Sequence, residues 1–288
     1  MKAEYLLLII RANSEYFYDI LEEFRKFFMK KVSKKTKREI AFLKEGGKIL
    51  SEALLLARAL AKEGAKRIVT GKDLEDLVVK FLLAHKADPA FLNYQGAGGK
   101  PYPSALCVSV NSELVHGLAT KEKIICSGDL VKLDLGVKYK NLFTDAALSV
   151  PVGECSLSAI KMAEAAEGAL KTGIEQIYPG STLGNYGYAV EKYILQKGFF
   201  VVKDLVGHGV GYAVHEPPQV LNYGKAGQGL ELEEGMVLAL EPMLNEIDDR
   251  ISLASDGFTY VASSGGLTSH WEKTVAVTRE GVEILTVF

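Results

Sequence analysis

Cysteine is scarce in this chain. Cys107, Cys126 and Cys155 are the only three in 288 residues, and no CxxC spacing occurs. That excludes a disulfide-framed secreted scaffold and argues against a structural zinc site, while it suits a reducing compartment. An excess of charge is lacking too: a formal net charge of −2 gives no whole-chain attraction to nucleic acid. No long apolar run is present. Tyr5-Leu6-Leu7-Leu8-Ile9-Ile10 is followed at once by Arg11, Asn13 and Glu15. That run is below the ~7–15 residues of a signal-peptide core, with no small-residue cleavage site after it, and far below the ~20 of a membrane span. A cytoplasmic protein with no membrane partner is therefore expected. No short-period repeat occurs, which excludes a solenoid.

What remains is an ordinary globular composition, 48% hydrophobic and 24% charged, long enough for one large domain or two small ones with a sizeable core. Residues 1–28 carry Phe17, Ile20, Leu21, Phe24 and Phe28 at helical spacing. Lys30, Lys31, Lys34, Lys35, Lys37 and Arg38 then form a basic run, read either as a solvated linker or as a contact to ribosomal RNA. Thr36 and Glu39 predict a capping box, opening a helix to about Gly64. A second helix is expected over 72–86. Strands follow from about Ser104, with a hairpin over Asp129–Tyr139 and Asn141–Val150, then helices over Leu157–Gln176 and Thr182–Gln196. The last third predicts strands at Phe199–Val206, Met236–Leu244, Phe258–Val261 and Glu272–Thr278. Blocks of helices beside blocks of strands indicate an α+β protein with a largely antiparallel sheet.

The hairpin carries two carboxylates. A two-residue loop at Tyr139–Lys140 would set Asp134 directly opposite Asp145. A four-residue loop, Tyr139–Leu142, would set Asp145 opposite Gly136, on the same face as Asp134. Either register crowds like charges, which is destabilising unless a cation or a proton intervenes or the pair is solvated on an open face. Three further segments stand out. His208 lies among glycines in Gly207-His208-Gly209-Val210-Gly211, where close approach of backbone or ligand is possible. Glu241 ends the apolar run Met236–Leu240, where a carboxylate is costly unless paired or metal-bound, and Pro242 places that end at an edge or a cleft rim. Glu272 starts a β-prone segment after Ser269-His270-Trp271. Four carboxylates and one imidazole suit Mn²⁺, Fe²⁺, Co²⁺ or Zn²⁺ better than a closed zinc site. Charge balance favours two ions, the arrangement that activates a shared water in hydrolases.

From about Lys35 to the C-terminus these motifs resemble the methionine aminopeptidase family in its type I form. The resemblance implies the pita-bread fold, helices on one side of the sheet and two pseudo-symmetric halves. It implies two divalent ions, of cobalt, manganese, iron or zinc, on Asp134, Asp145, His208, Glu241 and Glu272, with Asp145 and Glu272 bridging. It further implies that His116 and His215 contact substrate, that Glu241 doubles as proton shuttle, and that water activated between the ions hydrolyses the first peptide bond. Tyr94, Tyr102, Cys107 and Phe258 are candidates for the methionine pocket. Only 33 residues separate His208 from Glu241 and 31 separate Glu241 from Glu272, too few for the insertion of type II enzymes. Lys273 follows Glu272 where histidine is common, close enough to the ligands to tune metal preference. The expected partners are the N-terminal methionine of nascent chains and, transiently, the ribosome, acting on a monomer. Residues 1–34 are expected to be an extension and linker, and 35–288 the catalytic domain. The rival readings are an Xaa-Pro aminopeptidase or dipeptidase of the same fold, to which Val214-His215-Glu216-Pro217 has some likeness, and a non-catalytic binding protein. The first would need a further N-terminal domain; intact residues at all five positions argue against the second.

Overall fold

The computed structural model describes residues 32–95 and 100–288. The expectations for residues 1–28 and for Lys30 and Lys31 lie outside them. Helix α1 (Lys37–Glu63) opens on the expected capping box: Glu39 N–H donates to Thr36 Oγ1, and Thr36 N–H to Glu39 Oε2. Its apolar stripe, including Leu43, Leu50, Ala53, Leu54 and Ala57, is fully buried; burying each leucine is worth about 1.5–3 kcal/mol. Helix α2 (Gly71–Ala84) starts one residue before the expected boundary, because Thr70 and Asp73 form a second capping box. Helices α3 (Leu157–Ile174) and α4 (Leu183–Gln196) are capped by Ser156 and Thr182.

Strands β1 (Asp88–Pro89), β2 (Cys107–Val110), β3 (Glu113–Val115), β4 (Leu130–Tyr139) and β5 (Leu142–Pro151) come from the first half of the chain. The second half gives β6 (Phe200–Val201), β7 (Gly207–Gly209), β8 (Glu216–Val220), β9 (Val237–Leu240), β10 (Met243–Asn245), β11 (Ile251–Leu253), β12 (Tyr260–Ala262), β13 (Thr268–His270), β14 (Glu272–Thr278) and β15 (Gly281–Ile284). Nine of them form one sheet in the order β1-β4-β5-β14-β9-β7-β8, with β2 on β4 and β15 on β14. All its pairings are antiparallel. Strands of the first half stay together, strands of the second half stay together, and they meet along one seam. There Glu272 pairs with Ala147 and Lys273 with Ala146. One step on, Thr274 Oγ1 accepts from Asp145 N–H at 2.9 Å and donates to the Asp145 carbonyl at 2.7 Å, so a side chain extends the ladder.

Four local expectations are corrected. The hairpin loop is Lys140–Asn141, neither Tyr139–Lys140 nor Tyr139–Leu142 although it keeps the register of the latter, with both residues left-handed (φ 49° and 63°) as a two-residue hairpin turn demands. Lysine is a poor left-handed residue, but Lys140 is held by Glu45 at 2.6 Å and by the Phe42 ring at 4.2 Å, both on α1. The segment 236–244 is not one strand. Pro242 cannot continue the ladder, and the chain leaves the nine-stranded sheet after Leu240 to re-form as β10 between β13 and β6. Because β9 lies between β14 and β7, Glu241 ends an inner strand and not an edge. Only Phe200–Val201 of 199–206 pairs as strand; Val202 and Leu205 pack with Leu114, Val115 and Met243, so their hydrophobicity reports burial and not pairing. Finally, Lys35 is no solvated linker residue: it is buried, with Nζ 2.8 Å from Glu216, while Lys34 pairs with Glu233 nearer the surface.

Candidate metal centre

The seam sets the site. In β4, Asp134 pairs across to Ala147 on one side and Cys107 on the other. In β5, Asp145 opposes Gly136, two residues along the same face, so the second of the two sequence-derived registers is adopted. From across the seam come His208 on β7, Glu241 at the end of β9 and Glu272 at the start of β14. Asp145, His208 and Glu272 each offer a ligand atom within 4.8 Å of the other two, and Glu241, His270 and Glu272 do likewise. Glu272 belongs to both groups.

Titration behaviour follows from crowding in a buried place. Burial, then the charges of Asp134 and Glu241, hold the Asp145 carboxyl well above the usual range. Burial, then Asp145, does the same to Glu272. Asp134 is pushed up to about 7 by burial, with His270 pulling the other way and Glu241 adding to the rise; burial takes Glu241 to about 8. His208 is pushed down to about 3 by burial and by His215. It is therefore neutral at pH 7, and its 3.5 Å approach to Glu241 is no ion pair. His208 Nδ1–H donates to the Gly209 carbonyl at 2.9 Å, which leaves Nε2 as a free lone pair facing Glu241. Asp134 Oδ1, Asp145 Oδ1 and Glu272 Oε1 are buried without any hydrogen-bond partner. Orphaned acceptors on three of four crowded carboxylates, beside a neutral imidazole, fit divalent cations: they would supply the missing partners and cancel the repulsion.

The glycines around His208 are steric requirements. A methyl group at Gly209 would collide with the Pro217 carbonyl on β8, and one at Gly207 with the Ala239 carbonyl on β9. Gly209→Ala should therefore displace His208, lowering metal affinity at least about tenfold and Tm by several degrees. Isothermal titration and thermal unfolding check it; unchanged metal affinity would remove the glycine argument.

Around the carboxylates stand the other expected residues. His116 is held at φ 58°, an unusual conformation for a non-glycine residue. Burial, with His215 and His270 nearby, takes its pKa to about 4. His215 sits at the mouth with one edge in solvent, but the cleft walls desolvate it and lower its pKa. Its ring lies 4.4 Å from that of His208, and its Nδ1 is 2.7 Å from Tyr94 Oη. Tyr94, Tyr102, Cys107 and Phe258 gather in one apolar cluster with Phe91 and Val214, and Tyr102 packs edge-on to Phe258 at 5.6 Å. Phe91 was not foreseen; nothing in its local sequence distinguishes it from a core residue. Lys273 departs from expectation: strand alternation points it away from Glu272, and its Nζ donates to the Thr286 carbonyl and lies 3.6 Å from the Phe288 ring centre. Sequence reasoning also missed His270, although the spacing His270-Trp271-Glu272 in an extended segment puts both side chains on one face.

A nine-stranded antiparallel sheet with a cluster of carboxylates and imidazoles suited to cations at the seam of its halves defines a metal-dependent peptidase of the pita-bread fold. The chain belongs to metallopeptidase family M24, whose model matches residues 41–279. It is 35% identical over 253 residues to a methionine aminopeptidase of Clostridium acetobutylicum, covering 88% of this chain and 98% of that one. It is 36% identical over 252 residues to methionine aminopeptidase 1 of Bacillus subtilis, with the same coverage. The crystal structure of methionine aminopeptidase from Thermotoga maritima superposes with a TM-score of 0.85 at 38% identity, over 90% of this chain and all of that one. The prolidase of Pyrococcus horikoshii shares the fold (TM-score 0.67, 24% identity, 88% of this chain and 63% of that one). No helix among the described residues is long and apolar enough to cross a membrane.

Proposed function

We propose that this protein is a metal-dependent methionyl aminopeptidase that removes the N-terminal methionine from nascent polypeptides. The observation that carries this reading is the pair of donor groups sharing Glu272, in a chain more than a third identical to named methionine aminopeptidases over most of its length. Two divalent ions would be held by Asp134, Asp145, His208, Glu241 and Glu272, with manganese, iron, cobalt or zinc suited to this oxygen-rich donor set. When bound, they lower the pKa of water held at the site, polarise the scissile carbonyl and take the substrate's free α-amine.

The chain's own groups do the rest. Glu241, ionised once cations displace its proton, accepts a proton from the attacking water and delivers it to the leaving amine. His215 donates to the developing oxyanion. Tyr94 supports that role: we assign its hydroxyl, 2.7 Å away, as the donor to Nδ1, which puts the ring proton on Nε2. His208 and His215 thus take opposite tautomers, one to bind a cation and one to donate. His116 holds the substrate backbone from the other wall, and Phe91, Tyr94, Tyr102, Cys107, Val214 and Phe258 enclose the methionine side chain. The metallopeptidase domain is assigned to residues 35–288, which carry every residue named above.

The purified protein, assayed with several metals, is expected to cleave Met-Ala-Ser and to leave Xaa-Pro peptides intact; the reverse preference would make it a prolidase-type enzyme. His215→Ala should lower kcat by ~10²–10⁴-fold with metal content unchanged. Tyr94→Phe should cost about tenfold through loss of the tautomer lock. If either variant loses an ion, these two residues belong to the metal shell and not to the substrate.

A further inference from the structure

Glu241 and His270 stand where the chain crosses between two sheets. After β9 it leaves the nine-stranded sheet through Glu241–Pro242 to become β10; after β13 it returns through Trp271 to become β14. The crossings run side by side: Met243 pairs with His270, and Trp271 N–H reaches the Pro242 carbonyl at 3.4 Å. The backbone of His270 is fixed from the first half of the chain, since its N–H donates to Ser149 Oγ, which donates in turn to the His270 carbonyl at 2.9 Å. Its ring is 1% exposed, and neither nitrogen has a hydrogen-bond partner. An imidazole left without a partner in so polar a place is costly unless something else takes its lone pair.

The geometry points to that partner. His270 Nε2 lies 3.4 Å from Glu241 Oε2 and 4.0 Å from Glu272 Oε2. At these separations neither carboxylate is hydrogen-bonded to it. Atoms bound to one cation at ~2.0–2.2 Å each stand about 3–4 Å apart, which is the spacing these three show. We propose that His270 is a sixth protein donor of the metal centre, binding through Nε2 the ion that Glu241 and Glu272 also hold. This rests on the two-ion reading above. It makes the centre more nitrogen-rich than five ligands imply: each ion then has one imidazole, His208 for the first and His270 for the second. Imidazole favours the later, softer divalent ions over manganese, so His270 biases the second position toward cobalt or zinc.

X-ray absorption at the cobalt edge of the wild-type protein loaded with two Co²⁺ tests this without substitution. Imidazole multiple scattering should correspond to one histidine per cobalt; one histidine per two cobalt ions would overturn the proposal. Metal titration of His270→Gln should then show one of two Co²⁺ sites weakened at least tenfold, with manganese affinity less affected, and the loss should be partly recovered in His270→Cys, which restores a soft donor. A His270→Gln protein with two wild-type affinities and unchanged scattering, but lower kcat, would make His270 a positioning group for Glu241 and would also overturn it. Failure of the wild-type protein to bind two ions at all would instead sink the underlying two-ion reading, so the two failures are distinct.

Discussion

Asp145→Asn is expected to lower turnover of Met-Ala-Ser by at least about 10³-fold and to leave the protein with one tightly held ion. Asp145 is buried, one of its oxygens has no partner, and it shares its donor group with His208 and Glu272. Asparagine keeps the shape and removes the charge. Four carboxylates balance two divalent ions; three leave a surplus positive charge in a buried site, so one ion should go. The fold should survive, because Thr274 grips the Asp145 backbone at both its N–H and its carbonyl, independently of the side chain. The metal-free variant should even be more stable than metal-free wild type at pH 8, since one member of a crowded carboxylate cluster is gone. Metal analysis, kinetics and thermal unfolding of both proteins check this. Two ions and full turnover in the variant would remove Asp145 from the centre.

The second large effect is of pH on the metal-free protein. A carboxyl whose folded pKa is raised stabilises the native state fully below its unfolded value of ~4, and that contribution is lost as pH rises through the folded value. For Asp134 that value is about 7 and for Glu241 about 8, with Asp145 and Glu272 also raised. The imidazoles run the other way. His208 and His270 are depressed to about 3 and about 4, so their contribution is present above ~6.5 and lost only as pH falls through those values. From pH 6.5 to 8 the four raised carboxyls set the sign of the slope; buried Lys132 and Lys273, depressed to about 7 and about 8, oppose them but are fewer. Tm measured in chelator should fall by more than about 5 °C across that window. Adding Co²⁺ or Mn²⁺ should restore it, more at pH 8 than at 6.5, because the ions compete with protons for the same oxygens. A flat metal-free curve would mean that the carboxylates are ionised and solvated, and no buried cation site would exist.

These effects share an origin in the seam. Neither half of the chain supplies the whole centre: the hairpin brings two aspartates, and the second half brings His208, Glu241, His270 and Glu272. A site divided in this way couples the packing of the halves to cation binding, which is why the metal-free state should report on pH so directly.

Much of this was legible in the sequence because its cause is local. Thr36 with Glu39 fixes where α1 begins, since a capping side chain satisfies donors only two or three residues away. Alternation in 129–139 and 141–150 identifies the hairpin to within a residue at its ends, and a carboxylate that closes or opens an apolar run, as Glu241 and Glu272 do, marks itself as expensive. The tertiary structure alone decided the rest. It chose the register that sets Asp145 against Gly136, because the left-handed turn at Lys140 is held by Glu45 and Phe42 on a helix about a hundred residues earlier. It buried Lys35 against Glu216, a partner 181 residues away in the chain. It carried Glu241 out of an inner strand into a second sheet, and there brought His270 to within 3.4 Å of it. Periodicity reports which face a residue lies on, whereas these choices depend on which distant segment meets that face, and no local pattern carries that information.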